Sequence, residues 1–267
     1  MRDHVVKHSF PLSRVYEYPA SLPPPPIPTL EAQWALFLDV DGTLLEFAPT
    51  PDAVIVPEGL VDLLTRLRTR LNGALALVSG RRIEALDQLL APLQLPAAGL
   101  HGLERRDALG HEYRAPIDTA ALDAMRAAAY RLAETLPSVL LEDKHFSIAF
   151  HFRAAKLQQP ALRSGVEAIA RQTGFSLQAG VDVYELKPPG TNKGGALAAF
   201  MRDSGFKGRL PIYIGDDLTD EHALAAAQQF AGMGIHVGSL MPSAAHFGLP
   251  GPGAVLHWLR RWEEQLS

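Results

Sequence analysis

The 267-residue sequence contains no cysteine, which excludes disulfides and thiolate metal sites and leaves oxygen or imidazole to hold any metal. It also lacks an excess of positive charge. With 25 basic residues against 29 acidic ones and a formal net charge of −4, there is no electrostatic case for binding nucleic acid or an anionic membrane surface. No apolar run approaches the roughly 20 residues that span a bilayer. The N-terminal stretch "MRDHVVKHSFPLSRVYEYPASLPPPPIPTLEAQ" lacks the uninterrupted apolar core of a signal peptide. A soluble cytoplasmic protein with no nucleic-acid or membrane partner is therefore expected, and a monomer is taken as the default. What is present is an ordinary hydrophobic content of 47% and enough length for one large core or two modest ones.

"SLPPPPIPTL", Ser21 to Leu30, favours polyproline II, so residues 1–29 are expected to form an arm outside the main fold, with its docking left open. Beyond it, strand-like and helix-like runs alternate. The run Trp34 to Val40 precedes a helix opened by Pro57, with Leu60, Leu63, Leu64, Leu67 and Leu71 at helical spacing. "ALALVSG", a second helix carrying Ile83, Leu86, Leu89 and Leu90, and a short run into "AAGLHG" follow. That order predicts a parallel sheet covered on both faces. From about residue 110 the texture changes. In "FSIAFHFR" Phe146, Ile148, Phe150 and Phe152 alternate with Ser147, Ala149, His151 and Arg153, the pattern of a half-solvated antiparallel strand. The parallel texture returns after "KPPG". Segments 30–109 and 188–267 are thus expected to make one α/β parallel-sheet core, with residues 110–187 inserted as a smaller α+β unit.

Within "WALFLDVDGTLLEF", Trp34 to Phe47, a strand expected to be buried ends in two carboxylates, Asp39 and Asp41, which repel one another and lose hydration unless something compensates them. Ligands of open parallel sheets bind beyond the carboxyl ends of the strands. Here four such ends read "DVDGT", "VSGRR", "GLHGLE" and "GDDLTD". If they converge, Asp39, Asp41 and Asp216 crowd one pocket of hard oxygen ligands suited to Mg²⁺. Asp39 then becomes a nucleophile toward a phosphate monoester, and Asp41 is placed to give a proton to the leaving group and take one from water. Ser79 and the Gly80 N–H offer neutral donors to the transferring phosphoryl group, Lys193 a cation, and Arg81 a helper.

"DVDGT", "VSGRR", the Lys193 region and "GDDLTDE", in that order, resemble the haloacid dehalogenase superfamily of aspartate-nucleophile phosphotransferases, which implies a Rossmann-like core with an inserted α/β cap. "GLHGLERRD", "LEDKHFSIAFHFR" and "VYELKPPGTNKGGALAAFM" narrow the resemblance to the trehalose-6-phosphate phosphatase family. The resemblance implies a metal held by Asp39, the backbone carbonyl of Asp41, and Asp216, with Asp217 and Asp220 behind them or orienting the lysine. It further implies sugar recognition by Glu142, Lys144 and Glu185, hydrolysis of trehalose 6-phosphate through an aspartyl-phosphate, and a place at the final step of trehalose biosynthesis.

Blander readings stand beside these. Glu142 and Lys144 taken alone read as solvated turn residues, and Glu185 with Lys187 as a surface ion pair of little worth. His101 and His151 read as satisfying local hydrogen bonds, and Trp258 and Trp262 as core packing. A phosphatase of another sugar phosphate, or a catalytically silent sugar-phosphate-binding regulator, are the alternatives.

Overall fold

In the computed structural model residues 22–29, 33–48, 53–180, 182–239 and 242–266 are described. β1 (Trp34–Leu38), β2 (Leu75–Val78) and β3 (Ala97–Gly99) run parallel. β10 (Leu210–Gly215), β11 (Met233–Val237) and β12 (Phe247–Leu249) continue the sheet from the other side of β1. The order β3-β2-β1-β10-β11-β12 reverses direction between β1 and β10, so the strand ends open a crevice there. Both faces of β1 and β2 are buried, as their unbroken apolar runs require. α1 (Leu60–Arg70) packs on α7 (Pro252–Gln265), and α5 (Lys193–Phe200) on α6 (Glu221–Gln229). Phe37, Phe200 and Phe206 stack within the core, their ring centroids 5.2–5.8 Å apart, and Trp258 and Trp262 are buried in it.

Three sequence expectations change. α1 begins at Leu60 instead of at Pro57: the Pro57 carbonyl accepts from the Leu60 N–H at 3.1 Å, and Gly59 in the left-handed region (φ 75) makes the turn. The large sheet also runs past residue 109, because β4 (Glu104–Arg106) and β5 (Glu112–Arg114) add to β3 antiparallel. Asp107 holds their hairpin, accepting from the Leu109 and His111 N–H groups at 2.9 Å each and from the Tyr113 hydroxyl at 3.1 Å. Finally, residues 22–29 are no free arm. Leu22 and Ile27 pack on the core, the Gly248 N–H donates to the Pro23 carbonyl at 3.0 Å, and the Trp34 indole donates to the Thr29 carbonyl at 2.8 Å. A polyproline strip keeps free carbonyls and has little entropy left to lose, which suits it to docking. The rest of the expected arm, residues 1–21, lies outside the described residues.

The second sheet is antiparallel, in the order β6 (Leu140–Asp143), β7 (Ile148–His151), β9 (Val183–Lys187), β8 (Ser176–Gly180). α3 (Thr119–Glu134), capped by Asp118 accepting from the Ala121 N–H at 3.1 Å, and α4 (Gln159–Thr173) pack together. Ile148, Phe150, Phe152 and Leu186 form a core with Met125, Leu162 and Val166 from these helices. Ser147 and Ala149, expected on a solvated face, are 2% and 0% exposed. At those two positions the face looks onto the carboxyl ends of the parallel strands, while His151 is half-buried and Arg153 stays exposed as expected.

Candidate active site

Backbone register builds both walls of the site. Asp39 follows β1 directly, its N–H donating to Ile214 of β10 at 3.0 Å. The chain then turns on itself, the N–H groups of Thr43, Leu44 and Leu45 all reaching the Val40 carbonyl. Gly42 is the pivot, with φ +80 and Asp216 so close that a Cβ would lie 2.2 Å from its Oδ2. On the opposite wall Glu142, Ala149, Glu185 and Gln178 form one row across the four strands of the smaller sheet. Between the walls lies a cavity of about 430 Å³, in the size range of small-molecule sites.

At its floor, carboxylate oxygens of Asp39, Asp216 and Asp220 lie within 4.8 Å of one another. Lys193 Nζ donates to Asp39 Oδ1 and to Asp220 Oδ1, both at 2.7 Å. Asp220 has no capacity to spare. Its Oδ1 also accepts from the Tyr213 hydroxyl, and its Oδ2 accepts from the Asp216 and Asp217 N–H groups at 3.2 and 3.0 Å. It orients the lysine and shapes the loop, leaving Asp39 and Asp216 as the side chains with free lone pairs toward a cation. Burial, then Asp220, push the Asp39 carboxyl well above its usual range, against the pull of Lys193. Burial and Asp220 likewise lift Asp216 to about 7, and the two carboxylates hold Lys193 protonated against its own burial. Three carboxylates balanced by one lysine leave a deficit of two positive charges, so the donor set fits a divalent oxygen-seeking metal ion.

Asp41 is half-buried, and both its oxygens are bonded to Arg81, from Nε and Nη2 at 2.7 Å each. The buried Ser79 Oγ accepts from the Arg81 N–H at 3.1 Å, and the α2 helix (Ile83–Leu89) starts immediately beyond, its first N–H donating to Glu104 at 2.6 Å. On the opposite wall Glu185 receives Ser147 Oγ at 2.6 Å, His101 Nε2 at 3.2 Å and Lys144 Nζ at 3.3 Å. Burial raises its carboxyl, but Lys144, His101 and Ser147 outweigh that and hold it well below the usual range. Lys144 stands in a turn fixed by Asp143, which accepts from the His145 N–H at 2.8 Å. Glu142 is paired with His151 at 2.9 Å.

Residues 37–251 match the family model described as "Trehalose-phosphatase". The chain belongs to the trehalose-phosphatase family. It is 42% identical over 217 residues to a Sinorhizobium fredii protein named "Probable trehalose-phosphate phosphatase", covering 80% of this chain and 82% of that one. It is 39% identical over 233 residues to the trehalose-6-phosphate phosphatase of Escherichia coli, covering 87% of each chain. The C-terminal domain of the Candida albicans trehalose-6-phosphate phosphatase shares the fold, with a TM-score of 0.81 at 20% identity over 92% of this chain and 99% of that one. Other solved neighbours of the same fold are a phosphatase of the HAD enzyme superfamily and a haloacid dehalogenase-like hydrolase, both from Bacteroides thetaiotaomicron.

In this member of the trehalose-phosphatase family, the structure gathers Asp39, Asp41, Ser79, Gly80, Arg81, Lys193, Asp216 and Asp217 around one cavity with Glu142, Lys144 and Glu185. Asp220 lies beneath them, wholly buried. The surface ion pair imagined between Glu185 and Lys187 does not form. Both are buried, and Lys187 Nζ donates to the Thr191 carbonyl at 2.9 Å. Sequence reasoning missed Tyr213, although it carries the one polar side chain of "LPIYIG". It also missed Ser147 and Gln178, which share a face with Glu185 that only the strand register reveals. Among the described residues no helix is long and apolar enough to cross a membrane.

Proposed function

We propose that this chain hydrolyses trehalose 6-phosphate to trehalose and phosphate, with the inserted unit from about residue 115 to 187 serving as a cap that closes over the catalytic core formed by segments 30–114 and 188–267. The observation that carries this reading is the facing of the Asp39–Lys193–Asp220 cluster by a wall of Glu142, Lys144 and Glu185 across a single cavity, in a chain of this family.

Asp39 attacks phosphorus in line with the sugar oxygen, forming an aspartyl-phosphate while the P–O bond to the sugar breaks. Asp41 delivers a proton to the departing O6 and then takes one from the water that attacks the aspartyl-phosphate, releasing phosphate and restoring Asp39. For that exchange, contacts between Asp41 and Arg81 have to open, and the phosphoryl oxygens compete for the same guanidinium. Lys193, Ser79 Oγ and the Gly80 N–H meet the charge on the equatorial oxygens. Asp39, Asp216 and the Asp41 carbonyl would hold Mg²⁺, whose charge would offset the carboxylates and draw the phosphoryl group to the nucleophile. Glu142, Lys144 and Glu185 grip sugar hydroxyls with charge-assisted hydrogen bonds, and cap closure excludes bulk water.

Phosphate release from trehalose 6-phosphate, glucose 6-phosphate and sucrose 6-phosphate, with Mg²⁺ and with a chelator, tests the reading. Strong metal-dependent preference for the trehalose ester is expected. Even activity across the panel would sink the roles of Glu142, Lys144 and Glu185, and release from none of the three would sink the phosphatase reading itself.

A further inference from the structure

We propose that His101 is a positioning residue that fixes the sugar-gripping carboxylate of Glu185, an inference that rests on the phosphatase reading and places a determinant of disaccharide selectivity outside the cap. Three observations converge on it. The first is backbone conformation: Leu100, His101 and Gly102 take φ values of 50, 56 and 98 in succession. Residues with a Cβ rarely enter that region, and they persist there only where their surroundings over-determine them. The turn is also fastened to the phosphate-facing loop, with the Leu100 N–H donating to the Arg81 carbonyl and the His101 N–H to the Ser79 carbonyl, each at 3.0 Å.

The second is close packing. The imidazole lies against Gly80, where a Cβ would come within 2.9 Å of His101 Cε1 and Nε2. Glycine there lets the ring pass under the phosphate loop and reach the opposite wall. The third is the contact made at the far end, Nε2 to Glu185 Oε2 at 3.2 Å, with Gln178 3.3 Å from the same nitrogen. Burial, opposed by Glu185, pulls the imidazole below its ordinary range. The neutral ring has one N–H, and a lone pair facing the carboxylate would repel it, so Nε2 carries the proton and donates to Glu185, which requires the Gln178 amide beside it to turn its oxygen, not its nitrogen, toward the ring. The remaining partners of Glu185, Lys144 and Ser147, belong to the cap itself. His101 is the core's hold on that carboxylate, and it sets where Glu185 stands relative to the phosphoryl group.

A hinge clamp of no catalytic consequence would make the same contact, so the test reads selectivity. kcat/KM is measured for trehalose 6-phosphate and for p-nitrophenyl phosphate, which has no sugar to grip, in wild type, His101→Ala, His101→Gln, Glu185→Gln and the His101→Ala/Glu185→Gln double variant. Losing one charge-assisted hydrogen bond is expected to lower the trehalose-ester to p-nitrophenyl ratio in His101→Ala about tenfold or more, mainly through KM. His101→Gln, which retains an N–H donor, should recover part of that ratio and carries the test if the alanine variant fails to fold. The double variant should fall no lower than Glu185→Gln alone. Equal losses on both substrates, or additive effects in the double variant, would overturn the proposal. Absence of a trehalose-ester preference in wild type would count against trehalose 6-phosphate as the substrate instead, and leave the phosphatase reading standing. The same ratio taken with whichever sugar ester wild type prefers would then decide the role of His101.

Discussion

Replacing Lys193 with methionine keeps most of the side chain's length and removes its charge from the base of the site. In the wild type its Nζ bonds two carboxylates at 2.7 Å from a position only 3% exposed. Without it, three carboxylates stand within 4.8 Å of one another with no lysine between them. At an effective dielectric constant of ~20, each like-charged pair at that distance costs about 3 kcal/mol. Removing one partner of a buried ion pair costs about 3–5 kcal/mol by experience. For a chain of this size 1 kcal/mol corresponds to about 2–4 °C of melting temperature, so metal-free Lys193→Met should melt roughly 6–20 °C below wild type at pH 8. Divalent metal should then raise the variant's melting temperature more than the wild type's, because the cation becomes the main counter-charge of the cluster. Thermal unfolding followed by circular dichroism in chelator and in Mg²⁺ measures both. Equal melting temperatures in chelator, or a metal-induced rise no larger in the variant, would refute this account of how the carboxylates are balanced.

Asp39→Asn should abolish turnover, by about 10⁴-fold or more, while leaving the circular dichroism spectrum intact; substantial residual phosphate release would remove Asp39 from the nucleophile's role. Gly42→Ala puts a Cβ 2.2 Å from Asp216 Oδ2 at a φ of +80. It should weaken calorimetric metal affinity tenfold or more, and unchanged affinity would show that the Gly42 turn does not shape the metal site. Lys187, pushed down to about 8 mainly by burial, against Glu185 and with help from Lys193, makes stability pH-dependent. The unfolded chain holds this proton up to about pH 10.5 and the folded one releases it near 8, so wild-type stability should rise between those values. Lys187→Met should therefore gain up to about 3 kcal/mol over wild type below pH 8, less the lost bond to Thr191, and the gain should shrink toward pH 10.5. Urea unfolding at pH 7 and pH 10 would expose a constant difference, which would contradict this.

The parallel core was legible because strands buried on both faces must be apolar throughout, and the four loop motifs were legible because they sit at the ends of those strands. Glu112–Arg114 was not, since an exposed strand held by Asp107 needs no alternating pattern. Composition pointed to a proline arm without saying whether it docks; Pro23 and Ile27 meet a docking edge that no local signal announces. The wall around Ala149 misled for a related reason: alternation identifies two faces of a strand without saying that the polar one meets another part of the same chain. Asp220 was read as a supporting group, and the bonds that fill both its oxygens give the physical basis for that role. His101 was expected to satisfy a local hydrogen bond, but its partner lies 84 positions away.

The smaller sheet divides its labour by parity. Along β7, Ile148 and Phe150 belong to the helix-packed core, while His151, and Ser147 just before the strand, reach the site-facing carboxylates. Neighbouring positions on one strand thus answer to different selection pressures. One set holds the unit together, and on the proposed reading the other decides which sugar is admitted. If the proposed roles hold, a lineage, or an engineer, could rewrite the site-facing positions to admit another sugar ester while the helix-facing positions preserve the scaffold and the residues beneath stay unchanged.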